Sequence, residues 1–408
     1  MKVAILGYGD RGALYAGLFQ RYGVEISAVC DTDKQKLVRA QEAEKIPDSR
    51  CFNSEEAFWA QGRTADLLVI STLDKLHHAQ ACRAIEMGYD VLLEKPIACT
   101  IDECREIEAL AKKHGTKIYL CYVLRYAPFF MKIKEIIESG VLGKLITVNH
   151  TEGVGYWHQA HSFVRGNWRK KEETTPMIVA KCCHDMDILY WLVDANPVSV
   201  SSMGSLSFFN EENAPTGSAS HCCDCSIREK CPYDNFKFYR KNPWWIWKTG
   251  YYNGAYEDEK AIHECLSDKS NPYSRCVFRC DNDVVDHQVT NILFENGVTA
   301  HLTMTAFTAD TYRKIHIHGT YGELYGNVEE NKLYCCIYNK EKTLVEMESV
   351  EGLEGHGGGD SRMVKEIVDA YRNGLTVEKN GIEGAMRSHY LCFASEESRL
   401  KGGQKVDL

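Results

Sequence analysis

The chain opens on a strand-compatible run, Lys2-Val3-Ala4-Ile5-Leu6, followed at once by Gly7-Tyr8-Gly9-Asp10-Arg11-Gly12 and a helix-compatible stretch from Ala13 to Tyr22. Strand, G-x-G-x-x-G turn and helix in that order leave few folds open. The glycines serve a tight turn, close backbone approach to a pyrophosphate and close helix packing, and the helix N-terminus then faces the phosphates. A second short strand ends at Asp31, 24 residues after Gly7, where a carboxylate can accept hydrogen bonds from ribose hydroxyls. Gly7, Tyr8, Gly9, Asp10, Arg11, Gly12 and Asp31 therefore read as a dinucleotide site. Asp31 would repel a 2′-phosphate, so NAD is expected in preference to NADP.

The same alternation continues. ADLLVIS, DVLLEKP and KIYLCYV follow as short apolar runs separated by amphipathic, helix-length stretches such as Asp74 to Met87, the pattern of crossover units in a parallel sheet. The fold class is thus α/β: a Rossmann domain over residues 1–123, then an α+β domain with a large, mainly antiparallel open sheet over 124–359, and closing helices over 360–408 that pack back on the core. In the second domain, helices are expected over Pro128 to Ser139 and Ile178 to Val193, and strands over Lys144 to Glu152, Gln288 to Phe294, Thr299 to Phe307 and Lys314 to Gly319. A poorly periodic segment rich in Cys, Trp, Tyr and Asn, about 208–283, reads as an insertion in that domain.

Ligand contacts in open parallel sheets lie beyond the carboxyl ends of strands. Ser71-Thr72 and Glu94-Lys95-Pro96 fall there, although on spacing alone Lys95 beside Glu94 could equally be a surface ion pair. On the later helix, Lys181 and Asp187 stand three residues either side of His184, on one face of an otherwise apolar segment. A polar cleft would use all three; a Lys181–Asp185 surface pair with a core His184 is the plainer alternative.

Composition narrows the partners. Lys plus Arg is 48 against 57 for Asp plus Glu, a net charge of −9, which offers no basic excess for nucleic acid. No apolar stretch approaches the ~20 residues of a membrane span. The immediate strand after Met1 leaves no room for a signal peptide, and the eighteen cysteines in so long a chain are expected to be mostly reduced. A cytoplasmic location fits these features.

Within the insertion, Cys222, Cys225 and Cys231, with Cys276 or Cys280 returning later, have spacings suited to a structural zinc. Reduced cysteines packed as small hydrophobes explain them as well. His158, His161, Arg165 and Trp168 cluster in a loop that could grip the apolar faces and hydroxyls of a sugar ring or cap a subunit interface. His356-Gly357-Gly358-Gly359-Asp360 reads as a flexible turn with Asp360 as N-cap, with His356 able to reach the site.

Taken together, Gly7 to Gly12, the T-x-D-x-x-H run Thr72 to His77, Glu94-Lys95-Pro96, Leu124-Arg125-Tyr126 and His184-Asp185-Met186-Asp187 resemble the glucose–fructose oxidoreductase/inositol dehydrogenase/rhizopine catabolism family over the whole chain. The resemblance implies an NAD-dependent oxidoreductase acting on a sugar, glycoside or cyclitol, with Lys95 beside the nicotinamide and the reacting hydroxyl. It implies catalytic Lys95 and His184; the chain departs from the family's usual Asp-x-x-x-His, with Ala180 at the carboxylate position, and Lys181, one helical turn before His184, is the expected replacement. The motifs that carry the resemblance give expected cofactor contacts from Ser71, Thr72, His77, Glu94 and Lys95, expected substrate contacts from Arg125 and Tyr126, and a homo-oligomer; His158, His161 and Arg165 of the loop and Asp187 beside His184 complete the expected substrate contacts. The altered motif also leaves room for a redox-neutral, NAD-dependent glycosidase, and a third reading is an NAD-binding regulator without turnover.

Overall fold

The computed structural model describes residues 1–250, 258–350 and 355–408. Its first domain alternates β1 (Lys2–Leu6), α1 (Asp10–Arg21), β2 (Glu25–Cys30), α2 (Lys34–Glu44), β3 (Cys51–Phe52), α3 (Glu55–Trp59), β4 (Leu67–Ile70), α4 (His77–Glu86), β5 (Asp90–Leu93), α5 (Ile101–His114) and β6 (Ile118–Leu120). The strands are parallel in the order β3-β2-β1-β4-β5-β6. Helices cover both faces, so central strands such as Leu67–Ile70 are apolar and buried at every position. Strand order reverses between β1 and β4, and the crevice there opens beyond the Gly7 turn.

The second domain adds α6 (Pro128–Glu138), β7 (Leu145–Gly153), α7 (Tyr156–His158), α8 (Met177–Ala180), α9 (Cys183–Val193) and β8 (Pro197–Ser205). After the insertion come β9 (His287–Phe294), β10 (Thr299–Thr305), β11 (Tyr312–Gly319), β12 (Gly322–Asn327), β13 (Lys332–Ile337) and β14 (Thr343–Leu344). With β15 (Val406–Asp407) they form one sheet, β14-β13-β12-β11-β7-β10-β9-β8-β15, in which only β7 and β10 run parallel. β9 alternates buried and exposed side chains, as period-two strands do when one face is covered and the other open. The mainly antiparallel sheet is as expected.

The insertion carries α10 (Asn235–Lys241) and α11 (Glu259–Ser267) among short turns, around a small core of its own that includes Phe236, Tyr239, Ile246, Ile262 and Leu266. The closing helices are α12 (Gly359–Arg372) and α13 (Ile382–Leu400). They go to different places: α13 packs on α9 and β8, whereas Met363, Val364, Ile367 and Val368 of α12 join Val3, Ile5, Tyr15 and Phe19 in the first domain's core.

One expected element divides. The helix read over Ile178 to Val193 stops at Ala180 and restarts at Cys183. Asp360 is also not an N-cap: Gly358 caps α12, and Asp360 lies in its first turn.

Candidate active site

Two glycines of the turn are required by contact. Gly7 has φ +90°, and a Cβ there would stand 2.7 Å from the Ser71 carbonyl oxygen; a Cβ on Gly12 would meet the Gly7 carbonyl oxygen at 2.0 Å. At Gly9, by contrast, an added methyl meets nothing within 4 Å, leaving open the space before the α1 N-terminus that a diphosphate needs. Ser71 Oγ donates to the Gly7 carbonyl at 2.8 Å and fixes the turn. Asp31 accepts from the backbone N–H of Tyr8 at 2.8 Å and of Asp33 at 2.9 Å, with Lys36 Nζ 3.6 Å away. These features fit a dinucleotide.

The structure places the other expected cofactor residues around this turn in different ways. Tyr8 turns its hydroxyl away to Glu44, 2.6 Å. Thr72 bonds Gln80, and the His77 ring bridges the Pro96 and Thr72 carbonyls. Arg11 binds Glu94, Tyr15 and Asp360. Burial alone would raise the Glu94 carboxyl, but the Arg11 and Lys95 charges hold it below the usual range. The Arg11 and Glu94 side chains thus tie the turn to Tyr15 and Asp360. Asp10 faces the insertion, where Lys248 Nζ reaches its carboxylate at 2.6 Å.

Lys95 leaves the end of β5 and donates from Nζ to the Ala180 carbonyl at 2.8 Å. That carbonyl is available because the helix breaks at Lys181 and Cys182, so that Asp185 and Met186 N–H both turn to the Cys182 carbonyl. His184 follows the break. It is buried, and its Nδ1 has no hydrogen-bond partner. Burial first, then the charges of Lys95 and His356, push its pKa well below the ordinary histidine value, so the ring is neutral at physiological pH. His356 lies 5.3 Å from it, ring to ring, and bonds Asp360 at 2.8 Å. Sequence reasoning treated His356 mainly as part of a turn; its signal was the His-x-x-x-Asp spacing to Asp360.

Lys181 does not share a helical face with His184. It pairs with Glu152 of β7 at 2.9 Å, and Glu152 in turn meets Arg313 at 2.9 Å. Arg313 reaches Asp185, which also bonds His150 at 2.8 Å. The surface pair between Lys181 and Asp185 is therefore absent, and Glu152, which the sequence did not single out, supplies a buried carboxylate at this end of the cleft.

Several expected substrate contacts are committed elsewhere. Arg125 and Asp187 form a buried two-pronged ion pair, 2.7 and 2.6 Å, because a guanidinium fork matches a carboxylate. Tyr126 bonds Asn380. His161 is stacked on Tyr273 and bonded to Tyr239 inside the insertion, and Arg165 bonds the Arg275 and Tyr233 carbonyls there. His158 packs against Phe163 and Trp245, and burial with the charges of Lys181, His161, Lys248 and Lys95 depresses its pKa.

All eighteen cysteines are free thiols. Among the described residues, the groups of three or more ligand side chains whose donor atoms gather within 4.8 Å are His78–Cys82–Glu106 and His316–His318–Glu323. The insertion cysteines frame a space instead of converging on one point, so the expected single-zinc site is not supported. No helix among the described residues is long and apolar enough to cross a membrane.

Comparison with known proteins accords with this geometry. Residues 1–122 match the NAD-binding Rossmann fold of an oxidoreductase family and residues 134–401 its C-terminal alpha/beta domain. The protein YteT of Bacillus subtilis, named as an oxidoreductase, is 24% identical over 86% of this chain and 84% of its own length. Inositol 2-dehydrogenase 1 of Saccharopolyspora erythraea is 27% identical over 49% of this chain and 57% of its own. A crystal structure of an Agrobacterium radiobacter oxidoreductase with NAD+, L-tartaric acid and magnesium covers all of this chain and 98% of its own at TM-score 0.71 and 15% identity, a likeness of fold.

Proposed function

The chain belongs to the glucose–fructose oxidoreductase/inositol dehydrogenase/rhizopine catabolism family, and we propose that it moves a hydride between a secondary hydroxyl of a sugar, glycoside or cyclitol and NAD. The observation that carries this reading is the neutral, buried His184, with Nδ1 unpartnered, beside the Lys95 ammonium at the mouth of β5. A bound nicotinamide supplies the hydride chemistry. The His184 imidazole takes the hydroxyl proton, and Lys95, released from the Ala180 carbonyl, stabilises the developing alkoxide. His356, oriented by Asp360, closes the other side of the imidazole, and His158 lines the substrate side. Gly7 to Gly12 and Asp31 hold the dinucleotide. The inositol-dehydrogenase relative supports the substrate class.

The test is purified protein with NAD and a panel of cyclitols, sugars and glycosides, following nicotinamide absorbance and released aglycone together. Net NADH is expected. Lys95→Ala and His184→Ala should each lower turnover by about a hundredfold to ten-thousandfold with NAD affinity largely kept. Near-wild-type turnover in either variant would refute these roles. Aglycone released without net NADH would move the reading to redox-neutral hydrolysis, and NAD binding without any turnover would leave a regulator.

A further inference from the structure

The proposed chemistry has no use for the seven cysteines of the insertion, and four of them stand together. Cys222, Cys225 and Cys231 follow a C-x2-C-x5-C spacing with Pro232 directly after the third. Cys276 arrives from a separate segment, which two backbone features dock onto the first: the bridge between His221 and Arg275, and the Cys276 N–H donated to the Ser220 carbonyl at 2.9 Å. These four side chains line one small cavity, and the fifth important lining residue is Arg165.

Arg165 is the independent observation. It is 4% exposed. Its guanidinium bonds two carbonyls, those of Arg275 at 2.7 Å and Tyr233 at 2.8 Å, and approaches Cys222 Sγ at 3.7 Å. The carboxylate that shares its cavity, Asp234, is also buried and feels the Arg165 charge, and thiols line the cavity next to the guanidinium. A guanidinium held beside thiols favours their anionic, ligating form, so the cavity sets a fixed positive charge against the cysteines.

We propose that Cys222, Cys225, Cys231 and Cys276 ligate a [4Fe–4S] cluster, with Arg165 as its counter-cation. Four thiolates on a 2+ core leave a net charge of about −2, which the guanidinium partly offsets. The arrangement of the thiols selects the cluster over a single ion. A zinc draws four sulfurs onto one centre at about 2.3 Å, whereas a cube carries its metals on its own sulfides and leaves the protein sulfurs farther apart. These thiols frame a space and do not gather at a point. The role is structural: the cluster ties an insertion of short turns to Arg165, the last residue of the wound segment Gln159–Arg165 that follows His158. No electron transfer to the nicotinamide is invoked.

The test is untagged protein, produced with iron supplied and purified without oxygen, assayed for iron, acid-labile sulfide, zinc and visible absorbance, with electron paramagnetic resonance after dithionite. About four irons and four sulfides per chain are expected, with a broad visible band that dithionite bleaches. Cys225→Ser should lose most of the iron. Cys280→Ser, whose thiol instead donates to the Cys276 carbonyl, should keep it. Should Cys225→Ser not fold, the metal and sulfide content of the wild-type protein decides alone. Folded wild-type protein that holds zinc in place of iron, or no metal, both as isolated and after incubation with iron and sulfide, overturns the proposal. So does iron retained in full by folded Cys225→Ser.

Discussion

His389 provides a quantitative test of how the Lys95 turn is supported. Its Nε2 accepts the backbone N–H of Ile97 at 2.9 Å, two residues beyond Lys95, so the proton of the neutral ring sits on Nδ1, facing the Tyr122 hydroxyl at 2.7 Å and the Ala385 carbonyl at 3.1 Å. Protonating Nε2 would break the Ile97 bond. Burial, reinforced by the Lys95 charge, pushes the pKa down from 6.5 to about 4. The unfolded chain therefore takes up this proton near 6.5 and the folded chain only near 4, so stability is full above the unfolded value and falls as pH drops between the two. At about 1.4 kcal/mol per unit, a shift of roughly 2.5 units amounts to about 3 kcal/mol. Glutamine can accept from Ile97 and donate to Ala385 but does not titrate. Urea unfolding of wild type and His389→Gln across this range should show the wild type losing about 3 kcal/mol more. His158, His161, His184 and His356 also have depressed values, so the difference between the two proteins is the quantity that isolates His389. Parallel pH curves would refute the argument.

Asp31→Ala should raise NADP affinity relative to NAD in a binding titration, since it removes the charge facing a 2′-phosphate; an unchanged ratio refutes the ribose assignment. Lys181→Ala leaves Glu152 with Arg313 as its remaining ion-pair partner, so it should cost about 1–3 kcal/mol in chemical unfolding. It should lower turnover by less than tenfold, and a loss matching that of Lys95→Ala would return Lys181 to the chemistry.

Features whose causes are local in sequence were legible there. The glycine turn, the buried strands and the alternating strands of the second sheet follow from neighbours two to five residues apart, and the helix read from Pro128 to Ser139 ends one residue earlier, at Glu138. Pairings across the chain were not legible. Arg125 with Asp187 and Lys181 with Glu152 join residues 62 and 29 positions apart, and no periodicity marks them. The break after Ala180 was hidden for a related reason: a distant lysine takes the carbonyl that an apolar helical run would otherwise use itself.

The docking of α12 on the first domain has a consequence for biosynthesis. Met363, Val364, Ile367 and Val368 complete a core whose other members, such as Val3, Ile5 and Phe19, leave the ribosome 344 to 365 residues earlier. The nascent Rossmann unit therefore carries an uncovered apolar strip along α1 for most of translation, and its closure is a contact of very high sequence separation, a slow kind to form. A fragment of residues 1–123 should accordingly aggregate when made alone and become soluble when residues 355–408 are supplied as a second chain. The order in which this protein becomes safe from association is set by its last helices, not its first.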